Sequence, residues 1–328
     1  MERIPFSEPN IGDLEKEYVK KALDSGWVGS KGDFIDKFEE KFAKYIGVDY
    51  AVTCSSGTTA LQLAYLACGM QNRTVTVPKD TFIATKNMAV LLTPNVHEID
   101  GDSDTWNIRL KGLTTDYVVG VHLYGNPIDC GQLYRSPFKL IEDCAQSLGS
   151  RHRWKKCGAH GIASTFSFHS AKMITTGEGG MVCTNFKSIA DMVRLLKNQA
   201  MIEPYKHRGL GFNYRMTNLQ AAMGLAQLER IDEFIDKKRE ATKFYNENLS
   251  DKFIRQEDTP HSFVVHWANA YHLTTGVACE KVKTNLLQSG IETRPGFIGD
   301  NTIVLPCSTK LTKENLEYVV READKQAD

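Results

Sequence analysis

The stretch "FSFHSAKMITTGEGG", residues 166–180, starts as an apolar strand and ends as a turn. Phe166 and Phe168 are two apart, the period that puts both on one face of a strand. A lone cation, Lys172, follows, and the segment closes on Gly177-Glu178-Gly179-Gly180. A lysine buried at the end of a core strand is costly unless it is paired or neutralised. The same residues also read as a lysine in a surface loop, so the stretch poses a question that the rest of the chain must answer.

Outward from it, apolar runs alternate with helical patterns. Residues 33–46 carry Phe34, Phe38, Phe42 and Tyr45 at helical spacing with charges between, which predicts an amphipathic helix. "YAVTC" (50–54) reads as a strand, and "SSGTTALQLAYLACG" as a turn opening a helix that ends at Gly69. Further strands are predicted at 75–78, 96–100, 116–125, 139–144, 161–168 and 180–184, with a helix at 82–92. Strands alternating with helices predict an α/β protein with a mostly parallel sheet. From residue 217 to 249 the pattern is one long helical stretch. Beyond it "FVVHWANAYHLTT" is strand-rich, 279–289 is helical, and a terminal helix follows. The expected organisation is a large α/β unit, residues 1–238, and a small α+β unit, residues 239–328.

Composition narrows the function classes. The 328 residues balance 40 Lys and Arg against 40 Asp and Glu, so no bulk attraction to nucleic acid or an anionic membrane is expected. The first residues lack the apolar core of a secretory signal, and runs such as "MAVLL" (88–92) are too short to span a bilayer. A cytoplasmic protein is expected. The eight cysteines contain no CxxC pair and read as buried apolar groups in a reducing compartment. The nine histidines include no HExxH, so no metal site is expected. "RHRWKK" (151–156) is basic with one aromatic, but it reads as a solvated hairpin tip.

Three polar groups fall at strand ends, where open α/β sheets bind ligands. Ser55-Ser56-Gly57-Thr58-Thr59 would offer backbone amides and a helix dipole to a phosphate, although the same residues serve equally as a helix cap. Asp143 lies at the end of the apolar strand "KLIEDC" on the face opposite Glu142, with Gln146 three residues on; a helix cap or core ion pair is the plainer account. Ser167 and Lys172 are the third group. One cofactor joins them. Pyridoxal phosphate needs a lysine for its imine, an acid at its ring nitrogen and a phosphate cup. Lys172 would be neutralised by that bond, Asp143 would keep the ring nitrogen protonated, and Gly57–Thr59 with Ser167 would take the phosphate.

The chain resembles the DegT/DnrJ/EryC1/StrS family of nucleotide-sugar aminotransferases, which have the aspartate-aminotransferase fold (pyridoxal-phosphate fold type I). The resemblance rests on "DSGWVGSKG" (24–32), "SSGTTALQLA" (55–64), "VPKDTFIAT" (77–85), "VHLYGNP" (121–127), "IEDCAQSLG" (141–149), residues 166–185, "GFNYRMTNLQAAMGLAQLERID" (211–232) and "IETRP" (291–295). "TTGEGG" and "NYRMTNLQAA" most resemble the GDP-perosamine synthases and related 4-amino-4,6-dideoxyhexose enzymes. The resemblance implies that Lys172 holds the cofactor and shuttles a proton, and that Asp143 pairs with the ring nitrogen. It places Gln146 near the ring hydroxyl and Phe82 against the ring. Gly57, Thr58 and Ser167 are implied at the phosphate, joined by Asn213 from the partner of an obligate homodimer. Trp27, His169, Glu178 and Arg294 are the positions it implies toward substrate. It also implies L-glutamate as amino donor and a 4-keto-6-deoxy sugar nucleotide as acceptor, in polysaccharide biosynthesis.

This sequence departs from the pattern in one place that matters. Only "GFIGDNTIV" separates Pro295 from Leu305, where relatives carry a longer aromatic, proline and histidine loop. The segments at 69–74 and 109–116 are also short. These losses spare the cofactor residues and bear on the sugar. They keep open a C3-keto sugar, a UDP- or dTDP-linked substrate, and a non-catalytic cofactor-binding regulator. A sugar dehydratase of this fold, which by resemblance carries histidine at the lysine position, is disfavoured by Lys172.

Overall fold

Two phenylalanine pairs, one on a helix and one at the end of a strand, set the first layer of the core. The computed structural model describes residues 3–328. Helix α1 (Asp13–Asp24) precedes α2 (Asp33–Ile46). Phe38 and Phe42 of α2 are fully buried, and the Phe42 ring meets Phe166 and Phe168 edge-on at 5.0 and 5.4 Å. Each such ring stabilises the fold by roughly 1.5–3 kcal/mol through burial. The helix ends at Gly47, whose φ of 88° lies in the left-handed region that glycine adopts readily.

Strand β1 (Tyr50–Cys54) leads through the Ser56 cap into α3 (Gly57–Ala67); the Ser56 hydroxyl accepts from the Thr59 amide at 3.1 Å. Then come β2 (Val75–Pro78), α4 (Ala84–Leu92), β3 (Val96–Ile99), β4 (Tyr117–Val121) and β5 (Lys139–Asp143). The short hairpin β6 (Arg151–His152) and β7 (Lys155–Lys156) precedes β8 (Ala163–Ser167) and β9 (Gly180–Thr184). Seven strands form one sheet in the order β1-β9-β8-β5-β4-β2-β3. Only β9 runs against its neighbours, so the sheet is mixed but mostly parallel, as the alternation predicts. The C-terminal ends of β1, β5 and β8 therefore share one edge.

Beyond the sheet lie α5 (Lys187–Lys197) and the hairpin β10 (Met201–Glu203) and β11 (Lys206–His207). Two helices follow, α6 (Asn218–Glu229) and α7 (Ile231–Asn248). The single helix expected over 217–249 is broken at Arg230, whose guanidinium binds Glu15 at 2.8 Å and Glu233 at 3.2 Å. The chain then runs through β12 (Phe253–Ile254), β13 (Ser262–Phe263), β14 (Asn269–Leu273), α8 (Cys279–Gln288), β15 (Arg294–Pro295), β16 (Thr302–Leu305) and α9 (Lys313–Ala327). Strands β12, β14, β16 and β15 form a second sheet. A separate apolar cluster from Ala241 to Ala327, with Ile4 added, packs around it. Helix α7 runs through residue 238, and this C-terminal cluster begins one turn beyond it.

Three local expectations need correction. The strand expected over 116–125 stops at Val121, because the chain turns there: Tyr124 has φ 55°, and its amide donates to Gln146 Oε1 at 2.8 Å. Within 263–275 only β13 and β14 are strands; between them the Val265 amide donates to the Ser150 hydroxyl and the Trp267 amide to the Tyr124 carbonyl. The "RHRWKK" run is a hairpin with Trp154 exposed, but its His152 is buried. All eight cysteines are free thiols. Among the described residues, no helix is long and apolar enough to cross a membrane.

Candidate active site

The shared edge of the sheet brings the three sequence-predicted groups together. Gly180 pairs with Cys54 on one side and Ser167 on the other, so the ends of β1 and β8 flank the start of β9. A Cβ on Gly180 would lie 2.3 Å from the Ser56 carbonyl oxygen, so only glycine lets β9 approach the turn before α3. Gly57 is equally constrained: a Cβ there would come within 2.7 Å of Ser167 Cβ. The amides of Gly57 and Thr58 have no hydrogen-bond partner among the described residues. They point out of the α3 N-terminus beside the Ser167 hydroxyl, the arrangement that binds a phosphate.

Asp143 is buried at the end of β5. It accepts from the Thr85 hydroxyl at 2.7 Å and from the Ala145 amide at 3.0 Å, which fixes its carboxylate and leaves further lone pairs free. Lys172 follows β8 in the turn of residues 169–172, closed by its own amide on the His169 carbonyl at 2.9 Å. Its ammonium makes no hydrogen bond among the described residues and lies 3.9 Å from the centre of the Trp267 ring. That ring is fixed by its own Nε1–H, which donates to the Ala171 carbonyl at 2.6 Å. Burial lowers the Lys172 pKa to about 8; the Asp143 carboxylate opposes the shift and the Lys238 charge adds to it.

Gln146 is buried with its carbonyl oxygen taken by the Tyr124 amide, so its NH2 group is the free end. Phe82 is exposed at the mouth, its ring 6.4 Å from that of Phe297. Phe297 stacks on Tyr124 at 5.3 Å, and its amide donates to the Tyr124 hydroxyl at 2.6 Å. The shortened segment after Pro295 is thus folded down beside Phe82.

The remaining candidates are more dispersed. His169 and Glu178 approach to 3.8 Å, both half-exposed, on the two arms of the lysine turn. Trp27 is exposed on a loop that Asn218 pins: the Asn218 amide group donates to the Trp27 carbonyl at 2.7 Å. Arg294 is engaged by Glu292 at 2.5 Å and lies 5.3 Å from the Phe6 ring centre. Asn213 is exposed and accepts from Arg215 at 3.0 Å, while the adjacent Tyr214 carbonyl accepts from the Ser55 amide beside the cradle.

Several residues of the site were not singled out by sequence: Thr85, Tyr124, Lys238, Trp267 and Phe297. Lys238 had a readable signal. It sits in the apolar stripe of α7 with Phe234, Ala241 and Tyr245, and it is buried. Its ammonium donates to the carbonyls of Trp267, at 2.8 Å, and Cys307. The others come from distant segments and carry no local pattern.

A sheet edge that offers a phosphate cradle, a buried carboxylate and an unpaired lysine defines a cofactor-dependent amine-transferring fold. The DegT/DnrJ/EryC1/StrS aminotransferase family pattern matches residues 9–301, and the chain belongs to that family. It is 40% identical to the GDP-perosamine synthase of Escherichia coli O157:H7, over 92% of this chain and 87% of that protein. Among solved structures, DesI, determined in the presence of its TDP-sugar product, superposes with a TM-score of 0.90 at 28% identity, covering 100% of this chain and 93% of that one. The E. coli GDP-4-keto-6-deoxy-D-mannose-3-dehydratase with bound hydrated PLP gives a TM-score of 0.91 at 22% identity, covering 98% and 100%. The fold is therefore that of the sugar aminotransferases and their dehydratase cousin.

Proposed function

We propose that the chain is a pyridoxal-phosphate-dependent aminotransferase moving an amino group from L-glutamate to a GDP-linked 4-keto-6-deoxy sugar; its similarity to proteins named GDP-perosamine synthase supports the GDP-sugar acceptor. The observation that carries this reading is Lys172: a lysine at the strand edge with no acceptor for its ammonium, beside a buried carboxylate and an empty-handed helix N-terminus. The donor set fits the cofactor. The Gly57 and Thr58 amides and the Ser167 hydroxyl would hold the phosphate, Asp143 the ring nitrogen, the Gln146 NH2 group the ring hydroxyl, and Phe82 one ring face. When bound, the cofactor supplies a carbonyl for amines and an electron-withdrawing ring.

The chain's own residues do the rest. With a pKa of about 8, roughly one Lys172 amine in ten is unprotonated at pH 7, against fewer than about one in a thousand at the ordinary lysine value. That amine can exchange places with an incoming amine and move a proton between carbon atoms near neutrality. Asp143, clamped by Thr85 and Ala145, holds a proton at the ring nitrogen. The two substrates use one site in turn, so kinetics are ping-pong. His169, Glu178, Trp27 and Arg294 face the sugar nucleotide in this reading.

The proposal includes a cytoplasmic homodimer in which Asn213 reaches the partner's phosphate cradle, and a division into a cofactor-binding unit, residues 1–238, and a smaller unit, residues 239–328. The hairpin β10–β11 supports a dimer: Ile202, Tyr205 and Leu210 are exposed around it, an apolar set that a second copy would cover.

The test is spectroscopic. Purified protein should show a band near ~410–430 nm that disappears on adding L-glutamate. It should return with GDP-4-keto-6-deoxymannose and not with C3-keto or dTDP-linked sugars. Absence of the band after reconstitution overturns the cofactor. A Lys172→Ala protein that still completes the glutamate step overturns the role of Lys172.

A further inference from the structure

We propose that Cys130, His152 and His160 form a zinc site on the face of the sheet opposite the candidate active site. One donor atom from each residue lies within 4.8 Å of the other two. His152 is 1% exposed, and neither of its ring nitrogens has a hydrogen-bond partner. Nε2 of His160 is likewise buried and unpartnered. Buried imidazole nitrogens with nothing to bond are rare, because each lost hydrogen bond costs about 1–3 kcal/mol. A cation between them gives one nitrogen of each histidine a partner at once.

A second group in the same region shows what a satisfied cluster looks like. His122, Glu142 and Cys144 also bring their donor atoms within 4.8 Å of one another. There, however, His122 Nδ1 accepts from the Ile128 amide at 3.0 Å and Nε2 donates to Glu142 at 3.0 Å. Glu142 also accepts from the amides of Gly158, His160 and Gly161 at 2.7–2.8 Å. That group has no free imidazole lone pair and needs no metal. The Cys130 group has three unpartnered imidazole nitrogens and a thiol.

The donor set selects the metal. One thiolate and two imidazoles are borderline-soft ligands that suit zinc, and a fourth position remains. Asp129 Oδ1 lies 3.3 Å from His152 Nε2 without making a hydrogen bond, so its carboxylate, or a water, can complete a tetrahedron. Ligand atoms around tetrahedral zinc stand about 3.3–3.8 Å apart, so donor atoms that lie within 4.8 Å of one another would draw in by at most about 1.5 Å. Sequence spacing hides the site, since its residues come from the segment before β5, from β6 and from the turn after β7. A metal there would tie these segments together behind β5. Glu142 already grips the backbone of His160, so the clamp would bear on the strand that ends in Asp143. The inference is independent of the proposed reaction.

The test uses the full chain. After treatment with a chelator, exposure to zinc and desalting, released metal should amount to one zinc per chain, and the melting temperature should rise. X-ray absorption at the zinc edge should show one sulfur and at least two imidazole nitrogens around the metal. Cys130→Ser and His152→Gln should each weaken zinc binding at least ~10-fold, while Lys172→Ala should retain it. Less than ~0.1 zinc per chain, or a metal shell without sulfur, overturns the proposal, and the second measurement needs no variant to fold. Undiminished binding in both ligand variants overturns it as well.

Discussion

Glu142 and Asp143 are consecutive residues of β5, both buried, on opposite faces of the sheet. Glu142 accepts from His122 and from three backbone amides. Burial alone would push its pKa up, yet those donors outweigh burial and hold it at about 2. Asp143 accepts from only two groups, Thr85 and Ala145. The same contrast recurs in two lysines. The Lys238 ammonium is capped by two carbonyls, whereas that of Lys172 faces only the Trp267 ring. In each pair one member has its bonding capacity filled by the chain and holds the fold. The other keeps capacity that the chain leaves open, and the open members are the two that face each other at the sheet edge.

Removing the open carboxylate should have the largest effect on turnover. Losing one partner of a buried charge pair costs about 3–5 kcal/mol, so Asp143→Asn should lower kcat/KM for amino transfer about 10²–10⁴-fold. Its urea-unfolding midpoint should fall less than that of Glu142→Gln, because the Ala145 amide can still donate to the amide oxygen and the Thr85 hydroxyl can turn to accept from the new NH2 group. Transfer within tenfold of wild type would break the assignment of Asp143.

Glu142→Gln should do the reverse. Glutamine offers one acceptor oxygen where two are used, and its NH2 group meets His122 Nε2–H and backbone amides head-on. Unfolding free energy should fall by about 3–5 kcal/mol, with kcat of the folded protein within about threefold of wild type. The pH dependence has a definite sign. The unfolded carboxyl takes up its proton near 4.5 and the folded one only near 2. Glu142 therefore stabilises fully above 4.5, and its contribution is lost as pH falls from 4.5 toward 2. The stability gap between wild type and Glu142→Gln should close over that window. A gap that stays constant would mean that something other than the carboxylate charge is at work.

The contrast also marks how far sequence carries. Period-two alternation was enough to put Glu142 and Asp143 on opposite faces and to bury Phe166 and Phe168 ahead of Lys172. Helical spacing placed α2 within its observed bounds. What alternation cannot report is the number of donors that converge on a side chain. Those of Glu142 come from 122, 158, 160 and 161, and those of Asp143 from 85 and 145. The helix break at Arg230 was hidden as well, and the Glu15 carboxylate that its guanidinium binds lies at the far end of the chain. Phe297 was hidden by a gap: the shortened segment looked like a loss, and only the folded chain shows it stacked on Tyr124 next to Phe82.

The smallest expected effect probes the coupling between the two lysines. Lys238→Met keeps the length of the side chain and its place in the α7 stripe but removes a charge that helps lower the Lys172 pKa. Burial of Lys172 is the larger cause and remains, so the pKa should rise only modestly from about 8. The pH profile of the glutamate half-reaction, limited by the unprotonated Lys172 amine on its acid side, should move to higher pH. Two carbonyls, of Trp267 and Cys307, also lose their donor, which should cost about 1–3 kcal/mol of stability each. Stability alone cannot distinguish a structural lysine from one that tunes its neighbour, but the profile can. A destabilised protein with an unmoved profile would confine Lys238 to holding the fold. A shifted profile would show that the filled member of the pair sets the protonation of the open one.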